Sequence, residues 1–403
     1  MTNDFFIGPA VVVDDKIDQP DTGMVSVLEQ IAAESMPIVK RTELPPDTEI
    51  RHWRGFSLIV LDWELNPVDP AIAGIAAPEG LSEQNAVQVA AFVEKLLKRL
   101  YCPIFILTNE SVEAIRAELA TRLDVDEAQL EPRILVRSKA AVAEGLFDEL
   151  DEWVRTHPAV YALKRWELGY ENARREMFAD FELASSQWPR ILWSTSKTDD
   201  VNPNFELTET ISRNILHRFE PLVFDNTVLE AEAPEDDSAT ALRRVVHRNA
   251  VVAGKALHAD VIMPGDFFAV DATDDSQSKI LINVTPACDL VPRGDTTLDT
   301  VEMTLLEGSL LGVDEYNTGK KREKIVDRPM PGSEVIWVLR EDARPYRVAF
   351  KNPRRETWGE HKDARVGRLL EPYITLLQQR FTLHFQRQGV PRLPEGYYAQ
   401  DDS

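Results

Sequence analysis

The sequence contains little cysteine. Its two cysteines, Cys102 and Cys288, lie far apart and in no metal-ligand spacing, which excludes a disulfide framework and a zinc cluster and predicts a reducing, cytoplasmic location. The first residues lack the basic and apolar regions of a signal peptide, and no apolar run reaches the length of a membrane span. We therefore expect no membrane segment.

Basic residues are scarce in the first part of the chain. Residues 241–403 contain 23 Lys+Arg and 24 Asp+Glu, so residues 1–240 (22 Lys+Arg against 44 Asp+Glu) carry −22 of the net charge of −23. An acidic surface repels phosphates, so nucleic-acid binding is possible only through the C-terminal part. A length of 403 residues allows two or three domains, each with its own core.

Short apolar runs alternate with helical patterns over residues 8–140. This alternation is typical of βα units that form a parallel sheet. Strands are predicted at 10–13, 36–39, 104–107 and 134–136, with one more ending at Asp62. Helices are predicted at 23–33, 86–100 and 111–123, with a last helix beginning near Ala140.

Polar side chains follow four of these runs. Asp14 and Asp15 follow the first, Asp62 ends the run at 56–62, Thr108 follows 104–107, and Lys139 comes three residues after 134–136. Ligands of open parallel sheets bind beyond the carboxyl ends of the strands. We therefore expect these side chains to converge on one site.

Three neighbouring carboxylates repel one another unless a cation joins them, and Mg²⁺ prefers oxygen ligands of this kind. A hydroxyl at Thr108 and an ammonium group at Lys139 add groups that bind phosphoryl oxygens. The natural reaction is in-line attack by the Asp62 carboxylate on an activated phosphoryl donor, which gives an acyl phosphate.

In these residues the chain resembles the receiver domains of two-component response regulators over residues 8–145. The resemblance implies a flavodoxin-like five-stranded parallel sheet, with Asp14, Asp15 and Asp62 as Mg²⁺ ligands. It also implies that Asp62 accepts phosphate from a histidine kinase or other phosphodonor protein, and that Thr108 is the switch hydroxyl beside Lys139.

The sequence departs from the receiver pattern beside this site. The 46 residues from Asp62 to Thr108 include an insertion at 66–83, Trp63 follows the acceptor position, and Ala140 follows Lys139 where the family usually has proline. In these features the chain is similar to divergent receivers of bacterial conflict and phage-defence operons, which suggests a defence or stress system.

C-terminal to the receiver-like domain, residues 1–145, we predict an α+β region. A helical connector spans 146–229, an acidic linker covers 230–238, and residues 239–403 form a β-rich output domain that resembles a small barrel. Its strands are predicted at 260–263, 267–270, 279–284, 335–339 and 346–350, and its C-terminal helix at 364–387.

Two groups of residues stand out in this β-rich region. Asp266, Cys288 and Asp289 lie where strands meet turns, and they are either ordinary turn and core residues or part of a pocket. A distant similarity to the small barrels of growth-inhibiting ribonuclease toxins carries no full motif. The basic clusters 320–324 and 351–355 are solvated faces or contacts for RNA, DNA or an acidic surface.

The predicted function is phosphorylation-responsive signalling, in which the receiver-like domain controls the C-terminal output module. No enzymatic activity is predicted beyond autophosphorylation from a phosphodonor. Two alternatives stay open from the sequence: a non-phosphorylated pseudo-receiver adaptor, and a nuclease-like effector with its active site in the C-terminal domain.

Overall fold

A computed structural model describes residues 5–19, 23–65, 79–143, 145–230, 239–270, 279–311, 334–338 and 345–386. The chain divides into two compact units, Met1–Ser185 with Ile211–Glu232, and Ser186–Thr210 with Ala233–Ser403. The predicted boundaries near residues 145 and 229 remain predictions. No helix within the described ranges is both long and apolar enough to cross a membrane.

The first unit contains a parallel sheet of five strands in the order β2-β1-β3-β4-β5. This is the flavodoxin-like order, so the five-stranded parallel sheet expected from the sequence is present. The strands are β1 Ala10–Val13, β2 Ile38–Arg41, β3 Leu58–Asp62, β4 Ile104–Thr108 and β5 Ile134–Ser138.

Both faces of this sheet are covered. Successive side chains of β1 are all buried but alternate between two cores, with Val11 and Val13 in one and Ala10 and Val12 in the other. Alternation with a period of two is the geometry of a strand, and double burial explains why the runs are continuously apolar. The sheet edge is therefore held in place from both sides.

Seven helices precede residue 185 in the described part of the first unit, and they are α1 Gly23–Ala33, α2 Asp47–Ile50, α3 Glu79–Arg99, α4 Val112–Leu123, α5 Glu127–Leu130, α6 Leu146–Thr156 and α7 Pro158–Ala184. They are followed by α8 Trp188–Thr198, α9 Pro203–Arg218 and α10 Asn226–Leu229. The helix predicted to begin near Ala140 begins at Leu146. Gln30 of α1 binds the intervening turn, because its amide donates to Val142 O at 2.9 Å and accepts from Leu146 N at 2.8 Å.

The second unit contains an antiparallel sheet of eight strands, in the order β10-β11-β9-β8-β7-β13-β6 with β12 paired to β9. The barrel-like closure remains a prediction. The strands are β6 Val251–Ala253, β7 Asp266–Val270, β8 Lys279–Asn283, β9 Glu302–Leu310, β10 Glu334–Val338, β11 Pro345–Ala349, β12 Arg354–Thr357 and β13 Arg365–Leu369. The helices of this region are α11 Ala239–Ala250, α12 Trp358–His361 and α13 Tyr373–Gln386.

Two sequence predictions in this unit were wrong. Residues 260–263 form no strand, and the C-terminal helix begins at Tyr373 rather than at residue 364, because Arg365–Leu369 pairs with β6 and β7. Pro372 restricts the residue before it and cannot donate a helical hydrogen bond, so the helix begins after it. Residues 66–78, 231–238 and 320–324, which hold most of the insertion, most of the linker and one basic cluster, lie outside the described residues.

A glycine makes the turn before β7 possible. Gly265 has a φ of +87°, its N–H donates to Asn283 O at 2.8 Å, and its carbonyl accepts from Leu369 N at 2.9 Å. A Cβ at this position would collide with the Leu369 carbonyl oxygen. The turn that joins β7 to its neighbours therefore requires glycine.

We expect Gly265→Ala to lower the free energy of unfolding of this unit by about 1–3 kcal/mol, because it adds backbone strain and a collision. Urea titration followed by tryptophan fluorescence measures the change. Gly294→Ala is the matched control, since Gly294 has a φ of +59° and its Cβ would lie 3.5 Å from the nearest atom outside its neighbours. Equal losses in the two variants would contradict this account of the turn.

Candidate functional site

The parallel sheet brings the predicted site residues to one edge. Asp14 follows β1, Asp62 and Thr108 are the last residues of β3 and β4, and Lys139 follows β5. Lys139 N donates to Thr108 O at 2.9 Å, which continues the β4–β5 pairing to the tip. Asp14, Asp62, Thr108 and Lys139 are buried, and Asp15 is partly buried.

Three carboxylates form an acidic cluster at this edge. Asp14, Asp15 and Asp62 each offer an oxygen, and these oxygens lie within 4.8 Å of one another. Asp14 Oδ1 accepts from Lys16 N at 2.5 Å, but Asp14 Oδ2 and Asp15 Oδ1 are buried without a hydrogen-bond partner among the described residues. Buried oxygens are normally satisfied, so the acidic cluster fits a metal ion that takes oxygen ligands.

Lys139 is the cation that the chain itself supplies. Its Nζ donates to Asp62 Oδ2 at 2.8 Å, and it lies 3.6 Å from Glu64 Oε2 and 3.9 Å from Asp14 Oδ2. Burial lowers the pKa of Lys139, but the hydrogen bond and charge of Asp62 and the charges of Asp14 and Glu64 outweigh it and raise the pKa. Lys139 is therefore held in its charged form.

The acids respond to the same burial. Burial raises the pKa of Asp62 to about 6, against the opposing hydrogen bond from Lys139, and the charge of Asp14 adds to the rise. Burial also raises the pKa of Asp15. The charges of Lys139 and, at Asp15, of Lys16 thus do not offset the cost of burying these carboxylates, and a divalent cation would reduce that cost.

Two elements position the Lys139 side chain. A Cβ on Gly23, the first residue of α1, would lie 3.0 Å from Lys139 Cβ, so glycine leaves the room that the lysine uses. One turn further along α1, Ser26 Oγ donates to Ala143 O, beside the Gln30 contacts to the same loop. The loop after β5 is therefore fixed by α1.

Glu64 is a site residue that our sequence reasoning missed. Its Oε1 accepts from Asn109 N at 2.7 Å and lies 3.4 Å from Thr108 Oγ1, and its Oε2 accepts from Asn109 Nδ2 at 2.6 Å. Glu64 N donates to Asp62 Oδ1 at 3.1 Å. The sequence feature that could have indicated Glu64 is its position, as a further acid two residues beyond the end of β3.

The structure also describes contacts of the residues singled out in the C-terminal region. Arg368 donates to both carboxylate oxygens of Asp266, at 2.8 and 3.0 Å, and Asp266 is fully buried. Asp266 therefore holds β13 against β7. Cys288 and Asp289 lie in an exposed turn after β8, and within the cluster 351–355 Arg354 pairs with Glu307.

A cleft of about 720 Å³ lies at the opposite, amino edge of the parallel sheet, beside Arg99, Tyr101, Trp166 and Arg174. Arg99 pairs with Asp47, and Arg174 pairs with Glu171. These two arginines of the cleft are therefore already paired with acids.

No family model matches the sequence, and neither does any curated protein. Among the solved structures that match, two cover 36% of this chain at 14% identity and a TM-score of 0.21. One is a de novo designed Rossmann 2x3 fold protein, covered over 91% of its length, and the other is a CheY-like response regulator receiver domain protein from Methanospirillum hungatei JF-1, covered over 95%. At this TM-score neither likeness carries weight for function, and the C-terminal region is not identified by either.

We expect Mg²⁺ to raise the melting temperature of the protein, because the acidic cluster exists only in the folded chain. At ten times the dissociation constant, binding adds about 1.4 kcal/mol of stability. Asp15→Asn should raise the melting temperature without metal, since it removes a partly buried charge that repels Asp62, and should abolish the Mg²⁺ effect. Differential scanning fluorimetry with and without Mg²⁺ measures both changes.

Asp18→Asn is the matched control, because Asp18 is an exposed acid that pairs with Lys40 at 3.4 Å. Exposed pairs contribute about 0–1 kcal/mol, so this variant should keep the Mg²⁺ response. A response that survives in Asp15→Asn would show that the ion binds elsewhere.

Proposed function

We propose that residues 8–145 act as a phosphoryl-accepting signalling domain that controls the C-terminal unit. Asp62 is the acceptor, and Asp14, Asp15 and Asp62 hold Mg²⁺. The observation that carries the proposal is the acidic cluster with the Lys139 ammonium group 2.8 Å from Asp62 Oδ2. A carboxylate, a metal site and a buried cation are the groups that phosphoryl transfer to an aspartate requires.

Asp62 supplies the nucleophile in this reaction. A carboxylate oxygen forms a bond to phosphorus, the bond from phosphorus to the leaving group breaks, and the leaving group departs with the electron pair. Mg²⁺, when bound, neutralises phosphoryl oxygens. Lys139 Nζ donates to Asp62 Oδ2, so its charge would stabilise the oxygens of the transferred group beside it.

Thr108 and Asn109 supply neutral donors beside Asp62. Thr108 is the last residue of β4 and Asn109 comes next, and β4 pairs with β3 where Leu107 lies opposite Asp62. A hydroxyl and a backbone N–H at this place bind phosphoryl oxygens without adding charge. Their rearrangement on phosphorylation is the step that would pass the signal to the second unit.

The partner that fits this chemistry is a histidine kinase or another phosphodonor protein. Phosphorylation replaces one negative charge on Asp62 by about two, at an edge that already carries Asp14, Asp15 and Glu64. A change of this size alters what the edge binds. A role in bacterial defence or stress belongs to the same proposal, on the sequence resemblance alone.

A nuclease-like active site in the C-terminal region is not supported by the contacts of Asp266. Both of its carboxylate oxygens are engaged by Arg368, and Met263 N also donates to Oδ2 at 2.9 Å. Removing Asp266 would leave Arg368, whose side chain is 15% exposed, without its carboxylate partner. We therefore assign this residue to the fold of the second unit.

We expect acetyl phosphate with Mg²⁺ to add one phosphoryl group to the intact protein, and hydroxylamine to remove it, as it does for an acyl phosphate. Asp62→Asn should abolish the addition, because an amide cannot form the acyl phosphate. Intact-mass spectrometry measures the yield. Asp18→Asn serves as the control and should react like the wild type. Incorporation that persists in Asp62→Asn, or none in a protein that binds Mg²⁺, would contradict the proposal.

A further inference from the structure

Glu64 lies between Lys139 and the tip of β4. Its carboxylate is within 2.7 Å of Asn109 N and 2.6 Å of Asn109 Nδ2, and it lies 3.4 Å from Thr108 Oγ1 and 3.6 Å from Lys139 Nζ. One carboxylate thus engages an ammonium group, a hydroxyl and a backbone N–H together. These donors point to a single anion-binding position, and Glu64 fills it.

This position is the one that a phosphoryl group on Asp62 would need. Lys139 Nζ lies 2.8 Å from Asp62 Oδ2 and 3.6 Å from Glu64 Oε2, so the same ammonium group contacts both the acceptor carboxylate and Glu64. A carboxylate presents two anionic oxygens, as a phosphoryl group presents three, to the same types of donor. Two anions cannot share these donors without strong repulsion.

Glu64 is also able to leave. Its side chain is 20% exposed, whereas the side chains of Asp14 and Asp62 are at most 2% exposed. Its backbone is anchored independently, because Glu64 N donates to Asp62 Oδ1 and Trp63 O accepts from Asn85 Nδ2 at 2.8 Å. A change of side-chain rotamer could therefore free the donors without moving the end of β3.

We propose that the Glu64 carboxylate occupies the phosphoryl-binding position and acts as a built-in competitor of phosphorylation at Asp62. This inference rests on the proposed function. Glu64 must swing out before a donor can place its phosphoryl group against Asp62, Lys139 and Asn109. The chain is therefore slow to accept phosphate until Glu64 is displaced, and a partner that binds the Glu64 side chain in its outward position would accelerate the reaction.

The test is the rate of phosphorylation by acetyl phosphate at saturating Mg²⁺, followed by intact mass. Glu64→Ala removes the competitor and should react at least about tenfold faster than the wild type, which corresponds to ~1.4 kcal/mol. Glu64→Asp keeps the charge but withdraws the carboxylate from Asn109, so it should also be faster. Asp62→Asn combined with Glu64→Ala should incorporate nothing.

Glu110→Gln is the matched control, because it removes an exposed acid near Thr108 whose side chain is outside the cluster of contacts. It should stay within about twofold of the wild type, well below the tenfold step. A Glu64→Ala rate equal to or below that of the wild type would overturn the inference while leaving Asp62 as the acceptor. A fast Glu64→Gln beside a Glu64→Asp as slow as the wild type would also overturn it, since charge rather than occupancy would then set the rate.

Failure of the proposed function has a different signature. If neither the wild type nor Glu64→Ala incorporates phosphate at Asp62, the acceptor assignment fails, and the competitor has nothing to compete with. If the wild type is phosphorylated at Asp62 and Glu64→Ala reacts at the same rate, only the inference about Glu64 fails. The two outcomes are therefore distinguishable in one set of measurements.

Discussion

The site depends on the burial of more negative than positive charge at one edge of a sheet. Lys139 Nζ lies 3.9, 2.8 and 3.6 Å from carboxylate oxygens of Asp14, Asp62 and Glu64, and the charge of Lys16 acts on Asp15. Burial raises the pKa of Asp62 to about 6 and leaves carboxylate oxygens of Asp14 and Asp15 without hydrogen-bond partners among the described residues. Structures rarely keep such costs without a functional reason. A cation bound by these carboxylates, as proposed, would offset the cost of their burial and engage the oxygens that have no partner within the described ranges.

The fold supplies this arrangement through its strand order. β1 and β3 are neighbours in the sheet although Val13 and Leu58, at their nearer ends, are 45 positions apart in the sequence, and Lys139 bonds to Asp62 from 77 positions away. Two apolar cores hold the strands from both faces, and α1 holds the loop that carries Lys139 through Ser26 and Gln30. The charged groups are thus fixed by apolar packing that does not depend on their mutual attraction. Phosphorylation of Asp62, as proposed, would therefore change the charge of this edge while the packing of the sheet is kept.

Much of the first unit could be predicted from the sequence, because doubly buried strands are continuously apolar and their tips carry unlike polar residues. Glu64 could not be placed, since its role depends on a side-chain direction that a sequence does not show. The strands of the second unit are harder to predict from the sequence. Strand β9 combines Leu305 and Leu306, which face different cores, with Gly308 and two glutamates, so its pattern does not alternate cleanly. The apolar spacing of strand β13 also suits the start of a helix, and its pairing with β7 through Arg368 and Asp266 is a long-range contact that the local sequence does not show.

The most direct measurement is the position of a bound cation. Mn²⁺ takes the oxygen ligands that Mg²⁺ takes and scatters anomalously, so crystals grown with Mn²⁺ would show where the ion binds. The account predicts an anomalous peak between the carboxylates of Asp14, Asp15 and Asp62. Crystals that contain Mn²⁺ at other positions, with those three carboxylates unligated, would contradict it.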